Sequence, residues 1–283
     1  MVRICPSFVV IRHVASTFPI RARKYPGTLM KPFTMFVIVT AMLVLCGEKP
    51  EAFYTQKVSM GEAREIYHSQ EVQDRWLEEN VFRGHRNGVF FDVGAYDGHT
   101  LSNTLFFERE RGWTGVHCEP IPEVFAKLMI NRPCAVNLNV AVAETNGEAD
   151  FFRNTACSEM LSGLVDEYDP RHAQRVLASN ETQEEARTMV IKVPTRRMDT
   201  ICEEANIKRI NYLSIDVEGG EMSVIKSMDF DKVFVDALSV ENNYADTGKV
   251  IEAYLKEKGY EVVHRCLDNI FVHRASEFFP PGK

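Results

Sequence analysis

None of the seven cysteines sits in a Cys-x-x-Cys pair, which leaves a zinc ribbon or a disulfide framework without support. No segment repeats at the periods of solenoids or propellers. The Gly-x-Gly-x-x-Gly that cradles a pyrophosphate on a helix N-terminus is also missing, and its absence disfavours an NAD-dependent enzyme. Sixteen glycines and twelve prolines in 283 residues are ordinary usage, so neither low complexity nor wholesale disorder is expected. Residues 1–47 hold no aspartate or glutamate but carry Arg3, Arg12, Arg21, Arg23, Lys24 and Lys31. Set against the overall formal charge of −7, those six cations leave −13 on the rest of the chain. So acidic a remainder argues against nucleic acid as a partner, because neutralising phosphates takes clustered lysine and arginine.

What is present begins with an apolar run, FTMFVIVTAMLVLC, at residues 33–46. As a helix it would span roughly 21 Å at 1.5 Å per residue, short of a hydrocarbon core roughly 30 Å thick. That length suits the apolar region of a signal peptide. Basic residues before it, with Glu48 and Glu51 after it, put the N-terminus on the cytoplasmic side and the remainder in a lumen or outside the cell. The expectation is the secretory pathway, in the lumen of the endoplasmic reticulum or Golgi, with membrane association through residues 33–46. No clear Ala-x-Ala site follows, so a cleaved signal peptide and a short type II anchor both stay open. The acid-free, arginine-containing start also fits an organellar transit sequence, the alternative address. Asn180-Glu181-Thr182 is a glycosylation sequon, meaningful in a lumenal domain.

A chain that is 45% hydrophobic and 26% charged can bury a sizeable core, yet 283 residues do not make two large domains. Residues 1–60 read as a targeting segment and stem, and residues 61–283 as one domain. An amphipathic lead-in helix is expected over Gly61–Val81, with Ile66, Val72, Trp76, Leu77 and Val81 as its apolar positions. From there strands and helices alternate. GVFFDV is a strand leading through a glycine loop into a helix that includes Leu101, Leu105 and Phe106. TGVHCEP (114–120) is a strand, and residues 121–132 a helix with Pro122 in its first turn. AVNLNVAVAE (135–144) and GEADFF (147–152) are strands, and 154–187 is a long polar interruption. MVIKVPT (189–195), residues 198–206, and 210–228 continue as strand, helix, and strand–loop–helix. VDALSVE (235–241) is a strand, KVIEAYLKEKG (249–259) a helix, and two final strands flank Leu267-Asp268. Such alternation predicts an α/β, mostly parallel sheet built from right-handed crossovers, with an antiparallel C-terminal hairpin.

Three places gather polar residues at strand ends, where ligands bind in open α/β sheets. The first is Asp92-Val93-Gly94-Ala95-Tyr96-Asp97-Gly98-His99-Thr100. Its two aspartates repel a pyrophosphate but suit a cationic ligand, such as the sulfonium and amino group of S-adenosylmethionine (SAM). The second is Glu119, 27 positions after Asp92, where a carboxylate can accept both ribose hydroxyls of an adenosine; capping of the next helix is its plainer use. The third is Asp216-Val217-Glu218-Gly219-Gly220-Glu221. Three acids in six residues can orient or deprotonate a hydroxyl, or hold a divalent cation that does so; a solvated helix N-terminus is the plainer reading. His99, His264 and His273 are further titratable candidates. The two on the closing hairpin read as structural. Leu161-Ser162-Gly163-Leu164 could belong to a lid, since long loops in compact domains are often functional.

The segments DVGAYDGHTLSNTLFFE, GWTGVHCEPIPEVFAKL, NVAVAETNGEADF, MLSGLV, VPTRRMDTIC and IDVEGGEMSVIKSM together resemble the FkbM family of SAM-dependent methyltransferases, over roughly residues 85–274. The Asp-x-Glu-Gly-x-Glu box at 216–221 is the most specific of them. The resemblance implies a Rossmann-like class I methyltransferase fold and O-methylation of a hydroxyl on a small-molecule or glycan acceptor, a glycan or glycolipid being the expected substrate. It places Asp92, Gly94, Tyr96, Asp97 and Gly98 at the methionine end of SAM, Glu119 at its ribose, and Asn139 to Ala141 along its adenine. Asp216, Glu218 and Glu221 would face the acceptor. Asp216 with Glu241 and Asn242 also resembles the layout of magnesium-dependent O-methyltransferases, which makes Mg2+ a second cofactor expectation. The alternative is a non-catalytic, membrane-tethered relative that binds a partner or cargo.

Overall fold

Residues 66–180 and 186–280 are described by the computed structural model. The targeting segment and stem over 1–60, the apolar run 33–46 and Glu181-Thr182 of the sequon lie outside them. Among the described residues no helix is long and apolar enough to cross a membrane.

The strands with the longest apolar runs take the centre of the sheet, because a parallel strand covered by helices on both faces has no side for water. These are β1 (Val89–Val93), β8 (Arg209–Ile215) and β9 (Phe234–Glu241), each buried along nearly its whole length. With β2 (Thr114–Cys118), β3 (Val136–Leu138), β10 (Tyr260–Arg265) and β11 (Asp268–His273) they form a seven-stranded sheet, ordered β3-β2-β1-β8-β9-β11-β10. The five strands from β3 to β9 run parallel. β11 is antiparallel to both β9 and β10. The expected closing hairpin is therefore present, with its second strand inserted inside its first. This is the Rossmann-like arrangement of a class I methyltransferase fold.

Period-two alternation divides the core cleanly. Phe91, Leu213, Leu238 and Phe271 pack on one face with Met198, Val224 and Ile251. Their neighbours Phe90, Tyr212, Ala237 and Ile270 pack on the other with Leu77, Phe82, Phe106 and Trp113. The crossover helices are α2 (Leu105–Arg111), α3 (Pro122–Asn131), α5 (Met198–Glu204), α6 (Glu221–Lys226) and α7 (Ala245–Glu257).

Four local expectations differ from the structure. The lead-in helix is shorter, α1 (Gln73–Leu77) running into a π-helical turn at Glu78–Phe82. The helix after β1 waits until Leu105, because Tyr96 and Leu101 both hold positive φ. The run 135–144 is two strands, since the Asn139 amide donates to the carbonyls of Glu119 and Pro120 at 2.8 and 3.0 Å and pulls the chain out of the sheet. Beyond that break β4 (Ala141–Val142) joins a second, four-stranded sheet with β7 (Thr188–Arg196), β5 (Gly147–Asn154) and β6 (Gly163–Leu164). Finally, the described part of the interruption after β5 holds regular structure: two 3-10 turns (Ala156–Leu161 and Val165–Glu167), β6, and an eleven-residue helix, α4 (Pro170–Asn180).

Candidate active site at the carboxyl edge of the sheet

Because β1, β2, β8 and β9 are parallel, their carboxyl ends converge on one edge, where a cavity of about 480 Å³ opens. Gly94, Tyr96, Glu119, Ala141, Asp216, Glu218 and Glu241 all contribute to its wall. Residues from four separate strand ends and the second sheet are thus gathered at one place, beyond the carboxyl ends of the strands where open α/β sheets bind ligands.

The glycine loop is shaped by contact with the neighbouring strand. Gly94 has φ +84°, and a Cβ there would lie 1.9 Å from the Asp216 carbonyl oxygen. No other residue lets the ends of β1 and β8 approach so closely. Tyr96 donates its hydroxyl to Glu159 Oε2 at 2.6 Å and its backbone N–H to Glu119 Oε2 at 3.1 Å. Asp92 is buried and accepts from Thr104 Oγ1 at 2.7 Å, and burial pushes its carboxyl up. It lines a smaller cavity of about 50 Å³ adjoining the first. Asp97 and Gly98 lie outside both walls. Asp97 closes a turn instead, accepting from the N–H groups of His99 and Thr100 and from Thr100 Oγ1. Gly98 packs under Leu128 and Arg132. His99 is exposed beside His68.

Glu119 is only 5% exposed. Its Oε1 accepts from Ile121 N–H at 2.8 Å while Oε2 takes the Tyr96 N–H. Burial nevertheless pushes its pKa up to about 7. Ile121, Ala141 and Phe151 make an apolar cluster that shares the same cavity. A carboxylate with free lone pairs beside an apolar slot can accept paired hydroxyls and shelter a flat ring. Asn139 is absent from the wall and acts behind it, as the strut that turns the chain.

At the ends of β8 and β9, carboxylate oxygens of Asp216, Glu218 and Glu241 lie within 4.8 Å of one another. Asp216 is open to the cavity yet ringed by protein, so burial and then repulsion from Glu218, Asp268, Glu221 and Asp92 drive its pKa well up. Glu241 rises to about 10 for the same reasons, burial first and then Asp216, Glu218 and Glu221. Like charges this close cannot all ionise without a cation. Glu241 Oε2 is buried with no hydrogen-bond partner, so the donor set fits a hard divalent ion.

Two expected residues stand apart from this cluster. Glu221 is buried in the first turn of α6, where it accepts the Gly219 N–H at 2.8 Å and braces its own loop. Asn242 points its side chain at α7, where a Cβ on Gly248 would meet Asn242 Oδ1 at 2.0 Å. Among the described residues, the three carboxylates, without Asn242, are the ones that could hold a metal. His264 stacks on Trp76, and His273 bonds the Lys258 carbonyl and the Ala275 N–H, so both are structural.

Sequence reasoning missed α4. It carries His172, whose Nδ1 lies 3.0 Å from Glu218 Oε2, and Arg175, 3.7 Å from the same oxygen. Gly219, at φ +122°, lets the Glu167 carbonyl press against the acidic loop from the same insertion. Asp169-Pro170, an acid followed by proline at a first helical turn, is the signal that could have revealed the helix.

The fold and its acidic carboxyl-edge cavity define a Rossmann-like α/β domain with a ligand-sized site at the strand ends. A family model described as the methyltransferase FkbM domain matches residues 92–262, more than half of the chain, and the chain belongs to that family. Methyltransferases of this kind use SAM as their general methyl donor. The crystal structure of methyltransferase FkbM from Methylobacillus flagellatus KT is similar at a TM-score of 0.40 and 12% identity, over 66% of this chain and 44% of that one. The chain therefore spans under half the length of that neighbour. No curated protein matches the chain.

Proposed function

We propose that this domain binds SAM and methylates a hydroxyl oxygen, on a glycan or glycolipid, in the lumen of the secretory pathway. The observation that carries the reading is one cavity walled by both Glu119 and the Asp216–Glu218–Glu241 cluster. Glu119 accepts the ribose hydroxyls, and Ala141 with Phe151 lines the adenine. Gly94 and Tyr96 hold the methionine end. SAM supplies an electrophilic methyl group on a cationic sulfonium. The acids around Asp216 favour that charge and, when ionised, receive the proton of the acceptor hydroxyl. A raised pKa makes Asp216 a stronger base once ionised. The chain's main contribution is alignment of oxygen with methyl. Magnesium on Asp216, Glu218 and Glu241 would instead acidify the hydroxyl directly; the unpartnered Glu241 Oε2 supports this variant. The non-catalytic alternative is disfavoured because Gly94 and Glu119 still wall an open cavity. The basic start and the apolar run 33–46 support the lumenal placement.

Calorimetric titration of the purified chain with SAM and with NAD, each with and without magnesium, tests the reading. Micromolar binding of SAM alone is expected. A folded chain that binds no SAM would leave the partner-binding alternative standing.

A further inference from the structure

The two adjoining cavities share an acidic floor, since Gly94, Tyr96, Asp216 and Glu241 line both. They also share three aliphatic side chains: Leu101, Met160 and Leu267. These are 42%, 42% and 44% exposed, so they stand where the cavities meet solvent. Each comes from a different part of the chain: the loop after β1, the first 3-10 turn of the insertion, and the turn between β10 and β11. Single exposed apolar residues are ordinary on any protein. Three from separate segments, converging on one opening above the carboxylates of Asp216 and Glu241, are a shaped surface.

Two details sharpen this. Leu101 is held at φ +54°, a conformation that glycine or asparagine adopts far more easily, so an aliphatic group stands there against local preference. Among the polar residues at the opening, Gln70 and Asn243 are uncharged, Glu159 is held by the Tyr96 hydroxyl, and Arg175 is engaged with Glu218 and His172. A bare sugar would find no hydrogen-bond partner on Leu101 or Leu267, and the Tyr96 ring that lines both cavities has its hydroxyl committed to Glu159.

We infer that the acceptor is an amphiphile, a hydroxyl joined to an aliphatic body, with Leu101, Met160 and Leu267 gripping that body while the hydroxyl reaches the acids. This rests on the methyl-transfer reading of the same cavity and narrows its substrate class. The probes are methyl, hexyl, octyl and decyl β-D-glucosides, each below its micelle concentration. They are titrated calorimetrically into the full chain with and without SAM. Affinity should rise with chain length, by up to about fourfold per methylene. The triple variant Leu101→Asn, Met160→Gln, Leu267→Gln should lose the rise while keeping its SAM affinity. Leu267→Gln alone, the milder change, should shrink it. Equal affinity for the methyl and octyl probes, including none for either, overturns the inference. So does a rise that survives in the variants, or a triple variant that folds but loses SAM, which would assign the rim to the donor. If the chain binds no SAM yet still ranks the probes by length through this rim, the cofactor reading fails and the rim stands.

Discussion

Glu119 is asked to do two opposed things. It lies under protein, which favours the neutral acid, and it faces a cavity in which an ionised carboxylate would be the better acceptor. Its pKa of about 7 reflects the first demand. An acid whose folded pKa exceeds the unfolded value, about 4.3, is held protonated by the fold. Its contribution to stability is therefore most favourable at low pH and declines as pH rises from that value through about 7. Ligand binding has the opposite sign, because ionised oxygens accept stronger hydrogen bonds from ribose. Relative to Glu119→Gln, the affinity for SAM should increase about tenfold between pH 6 and pH 8. Calorimetry on both proteins at three pH values reads this, and parallel profiles would remove Glu119 from the ribose site. The residue was legible in the sequence because a strand end and a fixed spacing located it. The same reasoning did not show that Asp97, Gly98, Asn139, Glu221 and Asn242 stand off the cavity wall, since a motif names neighbours in sequence and not the direction in which each side chain points.

The elements around the loop show how the site is held. Arg132, at the end of α3, is fully buried and pairs with Glu108 of α2 at 2.9 Å. Its guanidinium also donates to the Gly98 carbonyl at 3.0 Å and to Ser102 and Thr104, and Thr104 in turn bonds Asp92. One arginine thus ties two helices to the glycine loop. Replacing one partner of a buried pair leaves the other charged and unsatisfied, so Arg132→Met should cost about 3–5 kcal/mol of stability. Urea unfolding measures it, and a loss under 1 kcal/mol would mean that the network carries little. Elements held in this way differ in how far the sequence shows them. The central strands were visible as apolar runs, ended by Gly94 in β1 and by acids at Asp216 and Glu241 in β8 and β9, because burial on both faces leaves little room for polar side chains between. α4 was hidden because its turn-rich, polar surroundings read as loop, and its packing on Glu218 depends on residues far away in sequence. The β3–β4 break was hidden for a related reason, since a single Asn139 side chain decides it against an unbroken β pattern.

At the scale of the whole molecule, charge is the organising quantity. Outside the first 47 residues the chain carries −13, and part of that excess is concentrated where Asp216, Glu218 and Glu241 meet at the cavity. Coulomb repulsion there is paid down either by protons, as the raised pKa values of Asp216 and Glu241 indicate, or by a cation. SAM brings a sulfonium that S-adenosylhomocysteine lacks, while the two share the adenosine and the amino-acid end. If the cluster reads the sulfonium, SAM should stabilise the protein more than S-adenosylhomocysteine at equal concentration. At 100 times its Kd, SAM should add about 2.7 kcal/mol, a rise of about 5–10 °C in a domain of this size. Asp216→Asn and Glu241→Gln should bring the two shifts together by weakening SAM selectively. Differential scanning fluorimetry on the three proteins separates the cases. Equal shifts in the unmodified chain would mean that the acids are turned toward the acceptor alone, and the preference for a positive charge would then belong to the loop at Asp92.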